Sequence, residues 1–172
     1  LNFSYGSGIV IPDTGILMNN EMDDFSSKKG VPNAYGLVGF EANEIKGQKR
    51  PLSSMTPTII LKDKKPYMVL GSPGGSRIIT TVLQVTLNVL EHNMNIKQAV
   101  VSPRVHHQWL PDVLLMEHGF SSDTIALLEK KGHTIRSSRT MGSVQAIIFK
   151  DNYFYGAADP RRPEAGAVMV SP

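Results

Sequence analysis

Between Ile78 and Leu90 the run IITTVLQVTLNVL places apolar side chains at 78, 79, 82, 83, 85, 87, 89 and 90. At 3.6 residues per turn these cover most of a helix's circumference, which predicts a helix buried between layers rather than one lying on a surface. The segments before it supply a layer. Apolar runs at 58–62 and 67–70 flank Asp63-Lys64-Lys65-Pro66, the pattern of strand, turn and strand. Gly71-Ser72-Pro73-Gly74-Gly75-Ser76-Arg77 then joins the second strand to the helix.

The rest of the chain alternates in the same way. Asn95 suits the N-cap of a helix over 96–101 that ends before Pro103. A strand is expected at 113–116, and Ser121 or Ser122 can cap a helix over 124–131 that stops at Gly132. Strands follow at 133–137, 144–149 and, after the turn Lys150-Asp151-Asn152, at 153–156. Residues 1–57 are rich in Gly, Pro, Asn, Ser and Asp and read as short strands and ordered loops, with Leu1-Asn2-Phe3-Ser4-Tyr5 as the middle of a strand. With no repeat and no linker, residues 1–172 are expected to form a single domain, a layered α/β (α+β) protein with largely antiparallel strands.

Composition excludes several classes of function. There is no cysteine, hence no disulfide, no zinc–thiolate site and no Cys nucleophile. The charge of +3 comes from scattered pairs such as Lys28-Lys29 and Lys130-Lys131, which read as solvated surface, so no nucleic-acid partner is expected. No apolar run approaches the ~20 residues of a membrane span.

Four segments can carry chemistry. Glycines at a strand-to-helix turn bring backbone N–H groups close to a ligand, and the helix behind them adds orphan donors and partial positive charge. The glycine segment therefore suits a phosphate, a carboxylate or a transient oxyanion, although the Lys-Ser/Thr of a Walker loop is absent. Asn19-Asn20-Glu21-Met22-Asp23-Asp24 sets three carboxylates beside two amides, suited to a polar loop, a hard cation or a substrate ammonium, without the EF-hand pattern. Ser53 and Ser54, between Pro51 and Pro57, can cap, turn or bind a carboxylate. His106-His107-Gln108-Trp109 lies near Asp112, but adjacent histidines on an extended segment face opposite ways, and neither a metalloprotease spacing nor a G-x-S-x-G elbow is present. No protein-bound metal is expected.

These segments together resemble the small subunit of γ-glutamyltranspeptidase (glutathione hydrolase). The matching blocks are Asn19-Asn20-Glu21-Met22-Asp23-Asp24-Phe25-Ser26, Lys49-Arg50-Pro51-Leu52-Ser53-Ser54-Met55, the glycine segment through Thr81, Pro103-Arg104-Val105-His106-His107-Gln108-Trp109-Leu110-Pro111-Asp112, and Gly156-Ala157-Ala158-Asp159-Pro160-Arg161. The resemblance spans almost the whole chain, in order and at family spacing. It implies an N-terminal-nucleophile hydrolase with an αββα sandwich of largely antiparallel sheets, completed by a large subunit cut from the same precursor. It implies a nucleophilic N-terminal Thr whose own amine serves as base. The γ-glutamyl group would pass from glutathione or a similar donor to that Thr, then to water or an acceptor amino acid or peptide. No cofactor is implied.

By the same resemblance, Gly74 and Gly75 supply the oxyanion hole. Glu21 and Asp24 hold the substrate α-ammonium, with a hydrogen bond from Asn2. Ser53 and Ser54 hold the α-carboxylate beside an Arg of the large subunit, and Tyr35 closes a lid over 29–40. The nucleophilic Thr is not in this sequence, since Thr14, Thr56 and Thr58 are internal and lack a free amine. The chain is therefore expected to be a fragment, inactive and unstable alone, of an enzyme secreted to the periplasm or medium by a signal on the missing precursor. Two rivals are a cephalosporin (glutaryl) acylase on the same scaffold and a phosphate-binding module built on the glycine segment.

Overall fold

The computed structural model describes residues 2, 3 and 5–168. They form two compact units, Leu1–Ser54 and Met55–Pro172.

The second unit holds the regular structure. Strands β1 (Thr58–Lys62) and β2 (Lys65–Gly71) make an antiparallel hairpin whose turn residues Asp63 and Lys64 both have positive φ, as a twisted two-residue hairpin requires. Strands β6 (Gln145–Lys150) and β7 (Tyr153–Ala158) repeat the device with Asp151 and Asn152. The two hairpins join through β2 and β6 into an antiparallel sheet of order β1-β2-β6-β7.

Alternation then decides which face is buried. Met68 and Leu70 of β2 and Ala146 and Ile148 of β6 point into the core. There they pack with Ile78, Val82, Val85 and Val89 of helix α1 (Ile78–Leu90) and with Ile96, Ala99 and Val100 of helix α2 (Ile96–Val101). Each large aliphatic side chain so buried contributes about 1.5–3 kcal/mol. Asn95 caps α2 as expected, in a reciprocal capping box with Gln98.

A smaller sheet joins β3 (Val105–His106), β4 (Leu114–Met116) and β5 (Ile135–Ser137), with β3 antiparallel and β5 parallel to β4. Helix α3 (Ser122–Lys130) bridges the parallel pair and is capped by Ser121. The elements thus confirm an α+β protein with largely antiparallel strands; β3 was not among the expected strands, and the other elements of this unit lie within a few residues of their expected places.

Two expectations are corrected. Helix α1 is not covered on all sides: Ile79, Leu83, Leu87 and Leu90 lie on an exposed side, because the sheet packs on one face only. The first unit has no strand among its described residues, only the isolated bridges Val10↔Leu17, Ser26↔Glu44 and Pro32↔Val38. Its apolar runs at 9–11 and 15–18 meet at a single bridge and stay largely exposed, so they have no buried face to propagate a ladder. Leu1 and Ser4 of the expected opening strand lie outside the described residues; Asn2, Phe3 and Tyr5 are not in a strand, and Phe3 turns the chain with a φ of 58°.

Candidate active site

In the first unit, Glu21–Asp24 form one 3-10 turn. The Asn19 side chain accepts from the Glu21 N–H at its start, and Asn43 Nδ2 donates to the Asp24 carbonyl at its end (2.6 Å). Phe25 and Ser26 are buried immediately after it. This anchors Asp24 in the interior, only 6% exposed, where Asn2 Nδ2 lies 3.1 Å from both carboxylate oxygens. Glu21 is half-buried and accepts a 2.5 Å hydrogen bond from Ser54 Oγ.

The two carboxyl groups titrate in opposite directions. Burial pushes Asp24 above the usual aspartate range, reinforced by a hydrogen bond and charge repulsion from Glu21, while Asn2 opposes the rise. The Ser54 hydroxyl holds Glu21 below its ordinary value against burial, assisted by Asp24. Two carboxylates this close favour one charge and one proton, and a cation between them would replace that proton. Asn20 leaves its buried Oδ1 without a hydrogen-bond partner among the described residues, so the same turn carries a spare acceptor. The acceptor set fits an ammonium.

Residues 29–40 form a loop closed by the Gly30 N–H to the Gly39 carbonyl (3.0 Å) and by Asn33 Oδ1, which accepts from the N–H groups of Tyr35 and Leu37. Lys29 pairs with Glu41 at its base. Gly39 is required there: a Cβ would stand 1.6 Å from Ser26 Oγ. Tyr35 stacks on Phe3 with centroids 5.6 Å apart, and burial followed by the charges of Asp24, Glu21 and Asp23 pushes its hydroxyl up. The structure therefore groups Asn2, Glu21, Asp24, Tyr35 and Ser54 around one acidic turn. Ser53 is exposed beside Ser54.

In the second unit the glycine segment leaves β2 and enters α1 through a 3-10 turn, Gly75–Arg77. Gly74 has a φ of 147° and Gly75 of 56°, conformations that disfavour side chains. Neither N–H donates a hydrogen bond among the described residues. Gly142 packs against this turn: its own Cβ would meet Ser72 Oγ at 2.5 Å and Thr81 Cγ2 at 3.0 Å. Ser72 Oγ accepts from the Ser143 N–H (2.9 Å) and donates to the Pro73 carbonyl (2.7 Å). Two free backbone donors on a braced turn can take a charge that develops during a reaction.

His106 and His107 part as expected of neighbours on an extended segment. His106 is buried, with Nδ1 2.8 Å from Thr80 Oγ1 and Nε2 2.9 Å from Gln108 Oε1, while His107 Nε2 sits 3.0 Å from the exposed Asp112. Among the described residues no serine completes a triad at His107, whose Nδ1 accepts from the Trp109 N–H, and no metal-holding cluster of His, Asp or Glu exists.

Sequence reasoning assigned no role to a buried network of four charges. Arg104 Nη2 donates to Asp159 Oδ2 (2.7 Å), and Arg161 donates to both Asp159 Oδ1 (3.1 Å) and Glu117 Oε1 (2.9 Å). Asp159 also accepts from the Val144 N–H and Glu117 from the Met141 N–H, while Arg104 donates to the Met141 carbonyl. The network thus fastens the loop that carries Gly142. Burial opposes ionisation of both acids. Backbone N–H groups and Arg104 hold Asp159 below its usual range, and Arg161 with the Met141 N–H does the same for Glu117. Its sequence signal was the presence of Arg104, Asp159 and Arg161 inside two of the matching blocks.

The family model for Gamma-glutamyltranspeptidase matches residues 1–169. The chain is 57% identical over 162 residues to the Glutathione hydrolase proenzyme of Escherichia coli, covering 94% of this chain and 28% of that protein. It thus spans under a third of the length of such curated relatives. A solved structure of a Helicobacter pylori gamma-glutamyltranspeptidase mutant is 56% identical with a TM-score of 0.88, covering 94% of this chain and 89% of that one. A cephalosporin acylase from Bacillus halodurans is more distant, 25% identical with a TM-score of 0.78 over 96% of this chain and 30% of that one.

Proposed function

Because the chain belongs to the γ-glutamyltranspeptidase family, we propose that it is the small-subunit part of a γ-glutamyltransferase and glutathione hydrolase, working as one catalytic domain with a large subunit of the same precursor. In this reading Glu21 and Asp24 bind the α-ammonium of the γ-glutamyl group, with Asn2 orienting Asp24. Ser53 and Ser54 serve its α-carboxylate, and Tyr35 closes over it. A Thr hydroxyl supplied from outside these 172 residues attacks the γ-carbonyl. Its carbon–oxygen bond forms as the carbonyl electrons move to oxygen, and the Gly74 and Gly75 N–H groups receive that oxyanion. The Thr α-amine takes the hydroxyl proton and passes it to the leaving nitrogen as the oxyanion collapses and the C–N bond breaks, and water or an acceptor amine then takes the glutamyl group from Thr. Removing one such donor typically costs about 3–4 kcal/mol of transition-state stabilisation.

The observation that carries this reading is the unequal carboxyl pair: a buried Asp24 pushed up beside a Glu21 held down, in a turn with a spare acceptor. A site for a neutral or purely anionic substrate has no use for it. The acylase reading keeps some support from the structural likeness, but a glutaryl chain has no ammonium to offer. A phosphate module is disfavoured because the glycine turn lacks a Walker lysine. Secretion to the periplasm or medium is proposed from the family alone; no helix among the described residues is long and apolar enough to cross a membrane.

The deciding experiment compares release of p-nitroaniline from γ-glutamyl and glutaryl anilides by the intact two-subunit protein. Preference for γ-glutamyl supports the proposal. Preference for glutaryl overturns it in favour of the acylase.

A further inference from the structure

We propose that Ser76, Gln108 and His106 form a positioning relay for the glycine turn, fixing the direction of the Gly75 N–H. The inference rests on the oxyanion role proposed above for Gly74 and Gly75. Ser76 follows Gly75 directly, in a three-residue 3-10 turn that has no side-chain cap. Two glycines at unusual φ make that turn soft, so neighbours must hold it. Ser72 and Ser143 brace it before Gly74. After Gly75 the side-chain anchor is Ser76 Oγ, which donates to Gln108 Oε1 at 3.0 Å.

The relay determines its own proton positions. Gln108 Nε2 donates to the Leu110 carbonyl (3.2 Å), so Oε1 is the atom that faces both Ser76 and His106. An amide oxygen only accepts, and therefore His106 carries its proton on Nε2. Its Nδ1 is then the acceptor for the Thr80 hydroxyl in the first turn of α1 at 2.8 Å, a shorter contact for that proton than the Arg77 carbonyl at 3.2 Å. Gln84, one turn further on, donates to the carbonyls of Thr80 (2.7 Å) and Val105 (2.8 Å) and accepts from the Val105 N–H (2.8 Å). Strand β3 is thereby locked to α1 through both backbone polar groups of Val105. Burial pushes His106 below the ordinary histidine value, helped by Arg77 and His107 and opposed by Gln108. The relay stays neutral, so it orients Ser76 without adding a charge beside the oxyanion.

The test uses the two-subunit enzyme matured from its full precursor, with γ-glutamyl-p-nitroanilide as substrate and rates expressed per titrated site. For Ser76→Ala, kcat falls about tenfold or more while KM stays within about twofold, since misaiming a donor is felt only in the transition state. Ser76→Thr, which keeps the hydroxyl, restores most of the rate. Gln108→Glu puts a carboxylate on His106 Nε2 and raises its pKa, so kcat gains an ionisation on the acid side that the parent lacks. Unchanged kcat in Ser76→Ala, a loss carried by KM, or an unaltered pH profile in Gln108→Glu overturns the relay. If Ser76→Ala does not mature, Gln108→Met is read by the same split between kcat and KM. A parent enzyme inactive on the anilide would instead sink the functional reading.

Discussion

The chain buries two sets of carboxylates and treats them in opposite ways. Asp159 and Glu117 of the second unit are matched by two guanidinium groups and by backbone N–H donors, and both are held down. Asp24 and Glu21 of the first unit are met by the Asn2 amide and the Ser54 hydroxyl, and Asp24 is pushed up while Glu21 is held down. In the first set both acids are held down by guanidinium groups and backbone donors, whereas in the second the two acids are driven apart. Burial alone does not separate a structural acid from a binding one. What separates them is which groups face each acid: guanidinium groups around Asp159 and Glu117, a second carboxyl beside Asp24.

The comparison is most easily broken at Asp159. Asp159→Ala leaves Arg104 buried and uncompensated, which should cost about 3–5 kcal/mol of stability, seen as a large fall in Tm of the two-subunit enzyme. A variant of parental stability would mean that the guanidinium groups are not what sets this half of the contrast apart. Asp24→Ala should leave the fold standing but reduce kcat/KM for γ-glutamyl anilide by ~10- to 100-fold, the worth of a charge-assisted contact of about 1.5–3 kcal/mol. Glutaryl anilide, which has no ammonium, should lose far less. Equal losses on both substrates would remove the ammonium role.

Much of this contrast was legible in the sequence, and particular residues show why. Asn19 to Asp24 announced themselves by density: three carboxylates in six residues cannot all be paired locally. The glycine segment was legible because glycine suits the φ of 147° at 74 and adopts the 56° at 75 without a side-chain cost. Helices α1 and α2 followed from periodicity and the Asn95 cap. The Arg104–Asp159 pair was hidden because its members lie 55 residues apart, and a lone Arg in a strand-like segment reads as surface. The exposed side of α1 was misjudged because apolar periodicity reports what a helix could bury, not what covers it.

Acidity should sharpen the contrast further. Asp159 and Glu117 have folded-state values below their unfolded ones, so their stabilisation is present above the ordinary carboxylate range and is lost as pH falls through the depressed values. Asp24 has the opposite sign: its folded-state value is raised, so ionising it as pH rises works against the fold until a cation arrives. Acid unfolding monitored by circular dichroism should therefore shift to higher pH in Asp159→Asn. In kcat/KM against pH, γ-glutamyl substrates should gain an acid limb set by Asp24 that Asp24→Asn abolishes. If that variant keeps the limb, another group governs binding.

The smallest effect belongs to Ser54, and it decides which charge that hydroxyl serves. Family likeness puts Ser54 on the substrate carboxylate, yet in the structure its hydroxyl donates to Glu21 Oε2 and is the largest cause holding Glu21 down. Ser54→Ala should weaken binding by about 0.5–1.5 kcal/mol, a several-fold rise in KM. Two truncated substrates separate the roles. A 4-aminobutyryl anilide keeps the amine and lacks the carboxylate, and a glutaryl anilide does the reverse. If Ser54 works through Glu21, the penalty persists on the first and disappears on the second, and the acidic turn extends to a third residue. If the pattern inverts, the hydroxyl turns to the carboxylate when substrate binds, and the ammonium-binding pair is Glu21 and Asp24 alone.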